Sequence, residues 1–588
     1  MSAALALLGD EAAALGALHA GLSAAYGYPG TPSTEILEYL IGASAGAGAS
    51  SAAGLEPFRA SWCANEKTAL EAALGASFAG RRALVTMKHV GLNVAADPFI
   101  NGSLLGIKGA LVIAVADDPG MHSSQNEQDS RFYAGFAMIP CLEPRNQQEA
   151  YDMTREAFDI SETFGVPVML RLTTRLSHAR STVEIREGRG QNPAGKGEDK
   201  TRWMLLPVYA RRNYLGLIEK QRGILEWSAS HPANRLEIGP DPAEERDLSF
   251  AVITSGLGGN YYEENLADLV EQRGGTVPAR LHIGAYPLPL DSIRRLCEKA
   301  RKVLVIEEGQ PFIEEKLKGI LPREISILGR LEGSGSDGEA VVPRTGELDP
   351  DNLRRALSLP PRPGVLGSIG TDGRAKAEGG PGAEAPEIPE GLNLSRLPGR
   401  PPQLCTGCPH GDSYAAINRA VAELDPSPNH PKVAVCSDIG CYSLGATPPW
   451  EAIESIVCMG ASVGMARGAA EAGIPYSMGV IGDSTFIHSG ITPLIDAVKA
   501  DSPMTLIILD NSIVAMTGCQ ETMVASDSLK SLILGLGVKP DHLLELEAKR
   551  QLLEENAARL KAELEYRGLS VVIFRRECLE AFRRRNRK

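Results

Sequence analysis

A chain of 588 residues holds roughly three to six domains and is no single small binding module. Hydrophobic residues make up 43% and charged residues 23%, an ordinary globular balance. With 60 Lys and Arg against 73 Asp and Glu the net charge is −13, which speaks against a general nucleic-acid binder, and aromatics at 5% make single-strand stacking platforms a poor fit. No apolar run approaches the ~20 residues of a membrane span. The start, MSAALALLGDEAAAL, lacks a basic segment and meets Asp10 and Glu11 early, so it does not read as a signal peptide. A cytoplasmic chain is expected, and in a reducing compartment its ten cysteines read as core thiols, metal ligands or redox groups rather than a disulfide framework.

In chain order, Asp10 is placed to cap a helix through Leu18, closed by Gly21. A turn follows at Tyr28-Pro29-Gly30-Thr31-Pro32-Ser33, with Ser33 capping the next helix. Strand-like runs recur at Ala83–Met87, Ala110–Ala116 and Val166–Leu172. Short buried runs between helices predict a parallel sheet covered on both faces. Residues 181–245 are polar and irregular, then helical. A second, smaller α/β unit has runs at Phe250–Ser255, Thr276–Ile283 and Val303–Glu307. Residues 331–402 form the clearest boundary, and Leu359–Pro402, dense in Pro and Gly, reads as a linker. Alternation resumes at Val433–Val435, Tyr476–Gly482, Thr505–Leu509 and Leu569–Phe574, with a charged helix predicted over Pro540–Arg567. The class is α/β.

The strongest chemical signal is Gly482-Asp483-Ser484 followed by Leu509-Asp510-Asn511. Gly482 lets backbone approach a phosphate. Asp483 offers a hard oxygen at the end of a parallel strand, where open α/β sheets bind ligands. Asn511 ends the next strand and can share one octahedral Mg²⁺ with it, together with diphosphate oxygens, a water and a backbone carbonyl assigned to Ile513. Either dipeptide alone is an ordinary turn. The pair, each led by a strand, has the spacing of a thiamine diphosphate motif.

A thiamine enzyme also needs a shielded carboxylic acid to protonate the aminopyrimidine ring, and it should lie in the other α/β unit because the cofactor bridges two domains. Among Glu56, Glu66 and Glu71 the choice is Glu66, at the start of an Ala-rich helix; the plain alternative is a carboxylate favouring the helix dipole. Cys405-Thr406-Gly407-Cys408 is the one C-x-x-C, with no second pair for a zinc ribbon. Cys441 and Cys578 close other strands of the same unit. Four thiolates at one sheet edge suit a [4Fe–4S] cluster, the alternative being buried thiols and a structural zinc.

With these residues in hand, the chain resembles the alpha subunits of indolepyruvate:ferredoxin oxidoreductases, within the thiamine-dependent 2-oxoacid:ferredoxin oxidoreductases. The matching stretches include YGYPGTPSTEI (26–36), NEKTALEAALGAS (65–77), MKHVGLNVAADP (87–98), RPPQLCTGCPH (400–410), SDIGCYSLGATPP (437–449), GDSTFIHSGI (482–491) and LDNSIVAMTG (509–518). The resemblance implies two thiamin-diphosphate-binding-fold domains with parallel sheets plus a transketolase C-terminal-like domain. In order they are a pyrimidine-binding domain over 1–185, a connector over 186–245, the transketolase-like domain over 246–345, a linker over 346–402 and a diphosphate-binding domain over 403–588. It puts Tyr28, Pro29, Gly30, Thr31, Glu66, Gly440, Gly482, Asp483, Ser484, Asn511, Met516 and Thr517 at the cofactor, Mg²⁺ on Asp483, Asn511 and Ile513, and the cluster on Cys405, Cys408, Cys441 and Cys578. Loop residues His89, His122 and His488 are candidates to face the substrate, or equally satisfied structural histidines.

The implied activity is oxidative decarboxylation of an arylpyruvate-like 2-oxoacid to an acyl-coenzyme A, with electrons leaving through the cluster to ferredoxin or a separate carrier. The implied assembly is α₂β₂ with a smaller, gamma-type subunit. Only ten residues follow Cys578, where the family usually continues into a two-cluster ferredoxin domain, so the onward electron path is expected not to lie in this chain. Gly411 and Cys519 depart from the family pattern, which puts the substrate and the acceptor in question. A non-redox thiamine decarboxylase would keep Glu66, Asp483 and Asn511 and need no cysteine quartet. A silent scaffold would need none of them.

Overall fold

The computed structural model describes residues 4–45, 56–195, 199–238, 245–331, 340–362 and 403–586. It divides into two compact units, Met1–Pro398 and Gly399–Lys588.

The first unit contains two sheets of the α/β kind. A seven-stranded sheet runs in the order Ala285–Tyr286, Cys141–Leu142, Val168–Thr173, Leu111–Asp117, Ala83–Lys88, Ala24–Gly27, Arg59–Trp62. Its neighbours are parallel except Ala285–Tyr286, which pairs antiparallel with Cys141–Leu142. The central strand, LVIAVAD, is buried at every position, as a strand covered by helices on both faces requires. Helices Gly9–His19, Thr34–Ala45, Glu66–Phe78 and Gln147–Phe164 supply that cover. A five-stranded sheet, Ser326–Leu328, Lys302–Ile306, Glu245–Ser255, Thr276–Ile283, Arg235–Glu237, is parallel but for its last strand.

Buried charge links the elements of this unit. Arg171 Nε donates to Asp117 at 2.7 Å, and its Nη2 donates to the Glu308 carbonyl at 3.1 Å. Arg131 Nη2 lies 3.0 Å from Glu307 and also pairs with Asp129. Opposed fixed charges offset the desolvation each would suffer alone.

The second unit has one six-stranded, wholly parallel sheet, in the order Ser455–Ile456, Val433–Ser437, Tyr476–Gly482, Met504–Asp510, Ser570–Arg575, Leu543–Glu547. Gly482 and Asp510 therefore end neighbouring strands at the same edge.

Three expectations are corrected. The first helix starts at Gly9 with Leu8 as its cap residue; Asp10 lies inside the first turn and is fully buried. Residues 346–362 do not behave as linker, because Leu348, Leu353, Leu357 and Leu359 pack into the core of the first unit; residues 363–402 lie outside the described residues. The helix expected over 540–567 is confined to Leu553–Glu565, because Leu543–Glu547 pairs in parallel with Ser570–Arg575 as an edge strand. The pattern LLELE, half polar and read as a charged helix face, is that of a strand with one side in the core.

Candidate functional site

In the second unit, Asp483 follows the strand Tyr476–Gly482 and is 8% exposed. Its Oδ1 accepts the Ser484 N–H at 2.7 Å and its Oδ2 accepts the Ser512 N–H at 2.9 Å, across two strand ends. Burial, and then the neighbouring Asp510 carboxylate, push the Asp483 carboxyl well above the usual range. Asp510 has its own cation, with Arg575 Nε donating to its Oδ2 at 3.1 Å, whereas among the described residues the hydrogen bonds that Asp483 accepts come from N–H groups. Ser484 Oγ is buried without a hydrogen-bond partner, an orphan hydroxyl facing nothing the protein supplies. A Cβ on Gly482 would come within 2.5 Å of the Tyr442 ring, and one on Gly440 would strike the same ring. Tyr442 is held by Asp438, which also accepts from Ser462 Oγ at 2.6 Å. These donors and carboxylates suit a magnesium diphosphate.

Asn511 is buried beside them. Its Nδ2 lies 3.0 Å from His410 Nε2, and its Oδ1 accepts the Ile513 N–H at 3.1 Å. His410 is fully buried, and burial holds it down to about 4, so it is the neutral partner of the amide. Ile513 opens a short antiparallel hairpin, Ile513–Val514 with Gln520–Glu521. Met516 and Thr517 lie in its turn, Met516 52% exposed and Thr517 Oγ1 donating to Gln520 at 2.6 Å.

The four cysteines converge on this edge. Cys408 precedes the helix Pro409–Leu424; burial pushes its thiol up, and the His410 and Gly411 N–H groups facing its sulfur offset part of that rise. Cys578 N–H donates to the Asn511 carbonyl at 3.1 Å. Cys441 is pushed up to about 12, by burial first and then by Cys408, Cys578, Cys405 and Cys519. Crowded thiols of this kind raise one another, and cations reverse the effect. Among the described residues no three His, Cys, Asp or Glu side chains are spaced for a single metal ion. A four-iron cluster holds its thiolates wider apart than one ion does.

In the first unit, Glu66 is the first residue of its helix, after Asn65, whose side chain accepts the Thr68 N–H at 2.9 Å. Glu66 is 4% exposed. It packs directly on Gly91: a Cβ there would sit 2.5 Å from Glu66 Oε1. Lys88, at the end of Ala83–Lys88, donates to the Ser123 carbonyl at 3.0 Å, lies against Gly30, and is held down to about 8 by burial. Ser123 Oγ donates to the Thr31 carbonyl at 3.0 Å. The loops holding Gly30 and Thr31 and Asp118 to Asn126, and the strand-to-helix junction at Lys88 and His89, thus share one end of the sheet, with Tyr28 buried and Pro29 beside it.

The three histidines differ. His89 is buried, with Nε2 3.1 Å from the Asn126 carbonyl and Nδ1 lacking a partner. His122 is largely exposed and lies 3.5 Å from Glu347. His488 is buried with Nδ1 2.6 Å from Ser489 Oγ. Sequence reasoning missed Lys88, His410, Tyr442 and Asp438. All four sit within two residues of a chosen residue (His89, Cys408, Gly440 or Cys441), which was the available signal.

Residues 15–203 match the family described as pyruvate flavodoxin/ferredoxin oxidoreductase, thiamine diP-binding, and residues 438–545 match the C-terminal TPP binding domain of thiamine pyrophosphate enzymes. The indolepyruvate oxidoreductase subunit IorA of Archaeoglobus fulgidus is 36% identical, over 99% of this chain and 88% of that protein. The IorA subunit of Pyrococcus abyssi is 34% identical, over 97% of this chain and 85% of its own. The 2-oxoglutarate synthase subunit KorA of Methanothermobacter thermautotrophicus is 25% identical over 57% of this chain and 96% of that protein.

Proposed function

Because this chain belongs to the family of the indolepyruvate oxidoreductase subunit IorA, we propose that it is the thiamine-dependent subunit of a 2-oxoacid oxidoreductase acting on an arylpyruvate such as indolepyruvate. The observation that carries this reading is the group formed by buried Asp483 and Asn511 and the buried, unpartnered Ser484 Oγ at the ends of two adjacent parallel strands. When bound, thiamine diphosphate supplies a carbon nucleophile for the 2-oxo carbon and an electron sink for the loss of CO₂.

In this reading Asp483, the Asn511 oxygen and the Ile513 carbonyl hold Mg²⁺, and the Ser484 hydroxyl donates to a phosphate oxygen. His410, with its lone pair on the Asn511 amide nitrogen, keeps the amide oxygen turned the other way. Gly440 and Gly482 keep the backbone low so that Tyr442 can pack beneath the phosphates. Glu66, shielded on Gly91, delivers and retrieves a proton at the aminopyrimidine ring. His89, whose Nδ1 has no protein partner, faces the substrate. Cys405, Cys408, Cys441 and Cys578 would hold a [4Fe–4S] cluster, which would supply one-electron transfer toward ferredoxin or a separate carrier, and coenzyme A would be the acyl acceptor. We assign the chain a cytoplasmic place and a smaller gamma-type partner in an α₂β₂ assembly. In the described residues no helix is long and apolar enough to cross a membrane.

The test is anaerobic purification with iron, sulfide and thiamine analysis, followed by a 2-oxoacid panel with coenzyme A and a viologen acceptor. Thiamine- and coenzyme-A-dependent viologen reduction, strongest with arylpyruvates, is expected. Decarboxylation in a colourless, iron-free protein would instead assign a non-redox decarboxylase.

A further inference from the structure

Arg576 makes contacts that nothing in the thiamine chemistry requires. It sits one residue past the strand Ser570–Arg575 and two before Cys578. Its Nη2 donates to the Gly407 carbonyl at 2.6 Å, inside the Cys405-Thr406-Gly407-Cys408 turn. Its Nη1 donates to Asp412 Oδ2 at 2.6 Å, in the first turn of the helix that follows Cys408, and also to the Ala548 carbonyl. Its own N–H donates to the Asp510 carbonyl at 3.1 Å, one residue before Asn511.

A single guanidinium therefore joins the turn bearing two thiols, the helix after it, the edge-strand exit and the strand end bearing a third thiol. These segments are 164 and 169 residues from Arg576 in sequence. Within the turn Gly407 is in the left-handed region at φ +79°, beside the Leu579 side chain, and Cys405 is exposed. The Cys405 carbonyl accepts the Cys408 N–H at 2.9 Å, which closes the turn but does not anchor it. Arg576 is the anchor, and a planar fork with several donors can reach three acceptors at once where an ammonium cannot.

We propose that Arg576 is the positioning residue of the thiolate quartet: it fixes Cys405 and Cys408 opposite Cys578 and offsets the Asp412 carboxylate beside the cluster, so that its loss leaves that negative charge uncompensated. This rests on the reading of the quartet as an iron–sulfur site. Net charge and hydrogen bonding around a cluster set its potential, and a nearby cation favours the reduced, more negative state. Removing that charge should move the potential downward, which loosened packing alone would not do in a fixed direction.

The test compares wild type, Arg576→Gln and Arg576→Lys, each purified anaerobically as the full chain. Iron and sulfide per chain, the electron paramagnetic resonance signal of the reduced cluster, and its midpoint potential are read. Arg576→Gln is expected to lose at least half its iron, to yield a three-iron signal on exposure to air, and to show a more negative potential in the cluster that remains. Arg576→Lys, which keeps the charge and loses the fork, is expected to recover the wild-type potential with intermediate iron. Should Arg576→Gln fail to fold, the lysine variant decides: full iron with wild-type air stability would overturn the proposal. Wild-type iron and potential in a folded glutamine variant would overturn it and leave the cluster standing. Wild type itself free of iron would overturn both it and the quartet.

Discussion

Asp483 and Glu66 divide the proposed chemistry between holding and proton transfer, and single substitutions separate the two. Asp483→Ala should weaken magnesium–thiamine diphosphate binding at least tenfold in calorimetry, because the cation loses its buried carboxylate. Unchanged affinity would remove Asp483 from the site. Glu66→Gln should bind the cofactor within a few fold and lose on the order of 10²–10⁴ in turnover, since an amide accepts or donates a hydrogen bond but delivers no proton. A quite different carboxyl sets a pH dependence. Asp10 is fully buried, and burial pushes it from 3.8 to about 8. Between those values the folded chain keeps a proton that the unfolded chain releases, so this group makes stability fall as pH rises. Asp10→Asn is neutral at every pH, so its melting temperature relative to wild type should rise steadily from pH 5 to pH 8. A difference independent of pH would show that Asp10 is not protonated in the fold.

Strand ends explain what the sequence disclosed and what it withheld. Gly482-Asp483-Ser484 and Asp510-Asn511 were legible because each follows a short apolar run, and parallel strands bring such ends to one edge. The His410–Asn511 contact spans 101 residues and the Arg576–Asp412 pair 164, and no local pattern encodes either. Cys405 and Cys408 were legible as a spaced pair. Cys578 was legible as a strand end of the same unit, but its backbone tie to the Asn511 carbonyl was not, because it depends on the strand Ser570–Arg575 lying beside Met504–Asp510. The same blindness produced the error over 540–552, where an edge strand's alternation was taken for one face of a helix. Gly91 gives an element-scale test. It lies in the helix His89–Val94, and Gly91→Ala would drive a methyl into Glu66. Turnover should drop by more than tenfold while the melting temperature moves by only a few degrees, a split that a simple packing defect would not give.

At the scale of the whole chain, two compact units each bring their candidate residues to the ends of parallel strands. Replacing Cys578 with Ala should strip most of the iron while leaving thiamine diphosphate affinity within about threefold, since that residue's tie to Asn511 runs through its backbone N–H and not its sulfur. Loss of both together would mean that the cluster and the cofactor pocket form as one. The strand order of the second unit has a consequence for synthesis. Ser570–Arg575 is inserted between Met504–Asp510 and Leu543–Glu547, yet it leaves the ribosome after both. Until it arrives, one flank of Met504–Asp510 has no neighbour, and an unpaired apolar strand is an invitation to a chaperone or to aggregation. The same late segment delivers Arg576 and Cys578. If the proposed quartet holds a cluster, a nascent chain has no complete set of thiols to offer until the sheet has closed, and translation order would then keep metallation behind folding.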